Sequence, residues 1–156
     1  MNFPQSDDLT NFLKDCEDHL LNNNDKKEVA YPNSCISPWD SEGIKRANEE
    51  LLNELSGSAN VYAIFTANKN SEEYTLKYIG QSESKLARTR LTNHLIMKHE
   101  KTGAKLKKVI DHIRSGGKIK ISWIKITPES LRHSIEEELI GKHPESCWNK
   151  HAKKKA

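Results

Sequence analysis

The sequence reads Asn60-Val61-Tyr62-Ala63-Ile64-Phe65-Thr66 and, after a polar run, Tyr74-Thr75-Leu76-Lys77-Tyr78-Ile79-Gly80. Both segments are short and rich in β-branched and aromatic residues, a pattern that predicts a β-hairpin with a long loop. Each strand carries one tyrosine, so pairing would bring two phenols together. Gly80 follows at once, where a close approach of the backbone needs no Cβ. On its own, the pattern is equally typical of an ordinary half-buried hairpin.

Apolar residues at helical spacing and clear stop signals predict helices on both sides of this hairpin. A third strand is predicted at residues 119–126, where apolar and polar residues alternate. Thr127-Pro128 is expected to start the last helix, with a capping hydroxyl and then proline, and to bury Leu131, Ile135 and Leu139. The predicted helices run from Asp7 or Asp8 to Leu21, from Asp40 or Ser41 to Leu55, from near Ser84 to Leu95, from Lys105 to Arg114, and from about Glu129 to His143.

The order of these elements predicts an α+β fold, a small three-stranded antiparallel sheet flanked by helices. Residues 1–58 are expected to form an acidic helical N-terminal extension, and residues 59–156 a domain with a basic C-terminal tail. The amphipathic helix at Leu9–Leu21 suggests that the extension packs on the domain or joins copies into a homo-oligomer.

Charge divides the chain at the same point. Residues 1–58 hold 5 Lys and Arg against 12 Asp and Glu, whereas residues 59–156 hold 20 against 10. A domain this basic favours a polyanionic partner, most simply nucleic acid. The three cysteines are widely spaced and predict free thiols. Because no apolar run approaches membrane length and the N-terminus lacks a signal-peptide pattern, we expect a cytoplasmic protein without membrane contact.

Several short motifs follow one another in a recognisable order. The sequence contains Val61-Tyr62-Ala63, Tyr78-Ile79-Gly80, Arg90 with Leu91 and His94, Glu136 ahead of Leu139-Ile140, and Trp148-Asn149. In motif order and element order, residues 60–150 resemble the GIY-YIG nucleases. The final Trp148-Asn149 and the lysine-rich tail most resemble the phage endonuclease II branch, which implies a phage or restriction setting.

The resemblance implies a role for each matching residue. Tyr62 would activate the attacking water, Tyr78 and Gly80 would form the second motif, and Arg90 would hold the scissile phosphate. Glu136 would bind one divalent metal, Mg²⁺ or Mn²⁺, which take hard oxygen ligands and keep several waters. His94 is an alternative proton acceptor. Asn149 corresponds to an asparagine near the end of the domain and is a candidate substrate contact.

The sequence also departs from the family pattern and leaves alternatives open. The first motif keeps only its tyrosine. Arg88 competes with Arg90, although Leu91 and His94 favour Arg90. Gln81 stands where many members have lysine, so one positive charge is missing. Arg90 and Glu136 are also compatible with a structural ion pair. The lysines that could contact phosphates are Lys98, Lys101, Lys105, Lys107, Lys108 and those of the tail at 150–155.

These observations together predict a metal-dependent endonuclease acting on double-stranded DNA, with one active site per domain. Such an enzyme would cut both strands sequentially or as an oligomer. Two other functions fit parts of the sequence. One is an inactive nucleic-acid-binding module of the same fold, and the other is a protein-interaction adaptor that uses the acidic N-terminal helices.

Overall fold

The computed structural model describes residues 7–97 and 105–149, which form six α-helices and a four-stranded antiparallel sheet. The strands are β1 (Lys27–Glu28), β2 (Val61–Ala67), β3 (Thr75–Gln81) and β4 (Lys118–Ile124). The helices are α1 (Asp7–Leu21), α2 (Ser41–Ala47), α3 (Glu49–Leu55), α4 (Ala87–Leu95), α5 (Leu106–Arg114) and α6 (Arg132–Lys142). The predicted α+β class is therefore confirmed.

The sheet has the strand order β1-β4-β2-β3, so the predicted number of three strands was wrong. The missed strand, β1, is only two residues long and pairs Lys27 with Ile121 and Glu28 with Lys120. Its sequence carries no apolar alternation, because both of its residues are exposed. The predicted hairpin is β2–β3, and it places β3 at the edge of the sheet.

The two faces of the sheet bury different helices. On the first face, Tyr62, Ile64, Ile119 and Ile121 pack with side chains of α2 to α5, such as Leu52, Leu91 and Val109. On the second face, Val61, Ala63, Phe65 and Ile79 pack with side chains of α1 and α6, such as Leu13, Leu20 and Leu139. The alternation of side chains along β2 therefore lets one strand support both layers.

Residues before position 59 contribute to both cores. Leu13, Cys16 and Leu20 of α1 are buried on the second face, while Leu9 is exposed. The apolar side of α1 is thus occupied within the molecule, in agreement with the expectation that the extension packs on the domain, while association of copies stays a prediction. On the first face, the Asn48 side chain holds the chain at Ala30 by donating to its carbonyl oxygen and accepting from its amide, both at 2.8 Å.

The last described residues close the outer edge of β3. The amide of Trp148 donates to the carbonyl oxygen of Lys77 at 2.9 Å. The side chain of Asn149 accepts from the Ile79 amide at 2.9 Å and donates to the Ile79 carbonyl at 2.8 Å. These contacts satisfy backbone groups that an edge strand otherwise leaves open.

Details of the last helix differ from the prediction. A short 3₁₀ turn at Glu129–Leu131 precedes α6, and no side chain caps it, so Thr127 does not act as the predicted cap. Leu131 is 38% exposed because it lies in this turn and not on the buried stripe of Ile135 and Leu139. The three cysteines are free thiols, as predicted. None of the helices within residues 7–97 and 105–149 is long and apolar enough to span a bilayer.

Candidate active site

Two tyrosines lie side by side at the end of the hairpin. Tyr62 of β2 pairs directly with Gly80 of β3, and Tyr78 lies two residues before Gly80 on the same side of that strand. The two phenol rings are 6.4 Å apart between centroids. A Cβ built on Gly80 would lie 2.6 Å from Tyr62 Cε2 and 2.8 Å from Tyr78 Cε1. Glycine is needed at position 80 because any side chain would displace both phenols.

His94 of α4 completes an aromatic group with the two tyrosines. Its ring centroid is 5.1 Å from that of Tyr78 and 6.2 Å from that of Tyr62. Its Nδ1 accepts a hydrogen bond from the Lys105 backbone amide at 3.1 Å, so the ring proton lies on Nε2 in the neutral form. Burial, then the charges of Lys105 and Arg90, lowers the pKa of His94 to about 4. His94 therefore presents a neutral N–H donor at neutral pH, in contrast to the proton acceptor expected from the sequence.

Arg90 and Arg88 occupy different surroundings although both lie on α4. The charge of Arg90 acts on Tyr62, Tyr78 and His94, which places its guanidinium next to the aromatic group. Arg88 instead donates to the Asn53 side chain and lies 3.9 Å from a carboxylate oxygen of Glu49. The structure thus brings Arg90 to the site and ties Arg88 to α3.

Glu136 reaches the same group from α6, which packs against β3. Its charge raises the pKa of both Tyr62 and Tyr78, so the carboxylate lies within electrostatic range of the two phenols. Burial, and secondarily Glu137, raises the pKa of Glu136 to about 7. Glu137 and Glu138 are exposed. Among the three consecutive glutamates, only Glu136 is therefore positioned at the site.

We call Tyr62, Tyr78, Arg90, His94 and Glu136 the tyrosine cluster. Within the described residues, Arg90 and Glu136 have no ion pair with each other or with any other side chain. The alternative of a structural Arg90–Glu136 ion pair is therefore not what the structure shows. Arg90 and Glu136 therefore act on the same two tyrosines without forming an ion pair with each other.

Both phenols are protonated at neutral pH. Burial is the main cause that raises the pKa of Tyr78 to about 12, and Glu136 adds to it while Arg90 opposes it. Burial raises the pKa of Tyr62 above its usual range as well, and the positive charge of Arg90 does not offset that effect. Tyr62 is only 2% exposed. Without a further cation, neither tyrosine is an effective base at neutral pH.

Two of the lysines predicted as substrate contacts, Lys105 and Lys108, have different surroundings. The Lys105 ammonium is 5.7 Å from the centroid of the Tyr78 ring. Lys108, near the start of α5, lines a cleft of about 500 Å³ with Lys77, His112 and Trp148. This cleft lies along β3 and the hairpin loop, and no member of the tyrosine cluster lines it.

Asn149 is placed away from any open surface. It is 5% exposed, and its amide group is engaged by the backbone of Ile79 on both sides. The structure therefore gives Asn149 the role of holding β3 in place and corrects its assignment as a substrate contact. Lys107 is exposed and ion-paired with Asp111. Lys98, Lys101 and the tail at 150–155 lie outside the described residues.

The cluster fits a hard divalent cation with few protein ligands. Glu136 is a single half-buried carboxylate whose charge has no partner within the described residues, and Mg²⁺ is commonly held by one or two carboxylates plus waters and phosphate oxygens. No group of three or more His, Cys, Asp or Glu side chains suited to a metal occurs in residues 7–97 and 105–149. A site that binds metal through protein ligands alone is thus not found in that part of the chain.

One contact near the cluster was not anticipated from the sequence. Arg132, the first residue of α6, donates from Nε to the side-chain oxygen of Gln81 at 2.9 Å. The available signal was the spacing of Arg132 and Glu136, which are one helical turn apart.

Comparisons with models of protein families, with curated proteins and with solved structures found no match to this chain.

Proposed function

We propose that this protein is a divalent-metal-dependent DNA endonuclease that hydrolyses phosphodiester bonds at the tyrosine cluster. The observation that carries the proposal is the convergence of Arg90 and Glu136 on the same two phenols without an ion pair between them. A phosphodiester with a bound cation would satisfy both charges at once. The resemblance to GIY-YIG nucleases supports the same reaction, because it depends on the same five residues.

Each side chain has a part that its surroundings allow. Arg90 grips the scissile phosphate through its planar guanidinium and neutralises charge that develops in the transition state. Glu136 holds Mg²⁺ or Mn²⁺, which when bound polarises the phosphate and lowers the pKa of water. His94 donates from Nε2 to an oxygen of the reacting group. Tyr62 and Tyr78, both neutral, orient the attacking water by accepting its hydrogen bonds.

The basic charge of residues 59–156 favours a polyanionic substrate, and the resemblance to GIY-YIG nucleases implies that this polyanion is DNA. Residues 59–156 carry 20 Lys and Arg against 10 Asp and Glu, and Lys105 lies close to Tyr78 of the cluster. We propose double-stranded DNA as the substrate, with one active site per chain. Both strands are then cut in sequence or by separate copies.

The test is cleavage of supercoiled plasmid in the presence of Mg²⁺ or Mn²⁺, with EDTA as the control for metal. We expect relaxed or linear products from the wild-type protein and none from Glu136→Ala. Glu138→Ala, on the same helix and exposed, is the matched control and should cleave normally. Salt-sensitive DNA binding without cleavage under either metal would identify a binding module instead. Equal cleavage by wild type and Glu136→Ala would refute the role given to Glu136.

A further inference from the structure

Arg132 is an arginine with an unusual set of partners. Its Nε donates to Gln81 Oε1 at 2.9 Å, and its Nη1 donates to the Glu129 backbone carbonyl at 3.1 Å. Both acceptors are neutral. Within residues 7–97 and 105–149, Arg132 forms no ion pair with a carboxylate. The side chain is thus fixed in position by two neutral acceptors, and its charge acts on the Glu129 carboxylate without a direct ion pair.

The nearest candidate for a counter-ion is engaged elsewhere. Glu129 accepts a hydrogen bond from the Ser84 backbone amide through its carboxylate. That contact is the main cause of the lowered pKa of Glu129, and Arg132 contributes less. A guanidinium has five N–H donors, so donors remain after the two contacts that orient it. An arginine held in this way is suited to an anionic ligand.

Arg132 is connected to the tyrosine cluster through the chain positions of Gln81 and Glu136. Gln81 directly follows Gly80 on β3, and Gly80 is the residue opposite Tyr62. Arg132 lies one turn before Glu136 on α6, about 6 Å along the helix axis. The charge of Arg132 is not among the causes that shift the pKa of Glu136, Tyr62 or Tyr78. The guanidinium is therefore outside the cluster, but Arg132 and Glu136 lie on the same side of α6 because they are four residues apart.

We infer that Arg132, oriented by Gln81, binds a backbone phosphate next to the one that is cleaved. This inference rests on the proposed function, since it takes DNA as the ligand of the neighbouring cluster. Neighbouring phosphates of one strand are separated by a distance comparable to one helical turn, so Glu136 and Arg132 can face consecutive phosphates. The glutamine at position 81 then acts as the positioning residue for a cation supplied by α6.

The experiment measures DNA affinity of the full-length chain against salt concentration. Fluorescence anisotropy of a labelled duplex is recorded between roughly 50 and 200 mM salt. All variants are made in a Glu136→Gln background so that the duplex stays intact. Loss of one phosphate contact reduces the slope of log affinity against log salt by about 0.9. We expect that reduction for Arg132→Gln and an unchanged slope for Arg132→Lys, which keeps the charge.

Two further variants separate phosphate binding from a structural or general electrostatic effect. Arg114→Gln is the matched control, because Arg114 also donates to a neutral backbone carbonyl, that of Ile36 at 3.3 Å, but at the far end of α5. It should leave the slope unchanged. Adding Gln81→Lys to Arg132→Gln returns a cation to the same place and should restore the slope.

Several results would overturn the inference. These are an unchanged slope in Arg132→Gln, an equal reduction in Arg114→Gln, and no recovery when Gln81→Lys is added. The measurement does not depend on cleavage, so it separates this inference from the proposed function. Normal plasmid cleavage by the wild type with no effect of Arg132 on the slope would refute only the Arg132 contact. A reduced slope with no cleavage by the wild type would refute only the nuclease activity.

Discussion

Two clusters of ionisable side chains at α6 differ in how their charges are satisfied. At the C-terminal end of the helix, Lys142 and His143 meet Glu17 of α1, and Glu145 follows. His143 lies 3.2 Å from a Glu17 oxygen through Nε2 and 2.7 Å from a Glu145 oxygen through Nδ1. We call this group the His143 cluster. Each of its basic side chains contacts a carboxylate, and each of its carboxylates contacts a basic side chain.

The tyrosine cluster is arranged in the opposite way. Burial raises the pKa of Glu136 to about 7 and lowers that of His94 to about 4, and Arg90 has no ion pair within the described residues. Its charged groups are therefore held at a cost to stability, whereas those of the His143 cluster contribute to it. The contrast is that the paired cluster joins helices, whereas the perturbed pKa values of the unpaired one are typical of functional sites.

The largest expected effect is that of Glu136→Gln, which should lower the cleavage activity but raise the free energy of unfolding at high pH. Glu136→Gln should reduce cleavage about 10³-fold or more, because the metal ligand is lost. The folded-state pKa of about 7 lies above the ordinary value of 4.5, so the native protein binds more protons between these values and loses stability as pH rises through them. Glu136→Gln should therefore be more stable than wild type at pH ~8, by about 1 kcal/mol after solvent screening.

Urea denaturation of wild type and Glu136→Gln at pH ~4 and ~8 measures this difference. We expect equal stability at the lower pH, where the carboxyl is protonated in both the folded and the unfolded state. A Glu136→Gln protein that is destabilised at both pH values would mean that the carboxylate is a satisfied structural group.

The next effect compares the two arginines of α4. Arg90→Ala should reduce cleavage about 10²-fold, because a cation that stabilises the transition state is removed. Arg88→Ala should retain cleavage and change the free energy of unfolding by less than about 1 kcal/mol, since its pairing with Glu49 is near the surface. Single-turnover cleavage of a labelled duplex measures both variants. Loss of activity in Arg88→Ala alone would reverse the assignment of the two residues.

A smaller effect concerns the pH dependence of cleavage. Below pH ~7, Glu136 is mostly protonated and cannot hold a cation, so the rate should fall by up to about tenfold per pH unit. Because metal and proton compete for the same carboxylate, higher Mg²⁺ should move the midpoint of this acid limb to lower pH. Rates measured at two Mg²⁺ concentrations test this, and an identical midpoint at both would argue against metal binding by Glu136.

The smallest effect lies at the paired cluster. His143→Gln should lower the free energy of unfolding by about 1 kcal/mol, since one imidazole links Glu17 and Glu145. Cleavage should be unchanged because the tyrosine cluster does not contact these residues. Thermal unfolding and plasmid cleavage of the same preparation measure both quantities. A tenfold loss of activity would mean that the two clusters are coupled.

The sequence predicted those parts of the fold that depend on local periodicity. The β2–β3 hairpin, β4 and most helices are set by apolar spacing and by stop signals such as Gly116-Gly117. The single helix predicted from Asp40 or Ser41 to Leu55 was wrong, because Asn48 divides it into α2 and α3. The strand β1 was missed because a two-residue strand is formed by tertiary pairing with β4 and has no pattern of its own. Leu131 was assigned to the wrong environment because apolar spacing does not reveal a 3₁₀ turn before the helix.

The sequence predicted which residues form the candidate site, but not their protonation states or their partners. Motif order selected Tyr62, Tyr78, Arg90, His94 and Glu136, and the structure places them together. The motif order did not predict the protonation states of these residues, because the low pKa of His94 and the high pKa of Glu136 arise from burial by distant segments. Asn149 and Arg88 could not be separated from site residues because their partners, Ile79 and Asn53, are remote in sequence.

The closure of β3 by Trp148 and Asn149 has a consequence for how copies of the chain can associate. An open edge strand recruits a strand from another molecule, and this is a common route to sheet extension and aggregation. Here one edge is covered by the chain itself, and the other, β1, is two residues long and follows Lys26. Continuous sheets between copies are therefore disfavoured. If the chain is the endonuclease proposed above, a second active site for the opposite DNA strand would be recruited through helices, loops or the DNA itself.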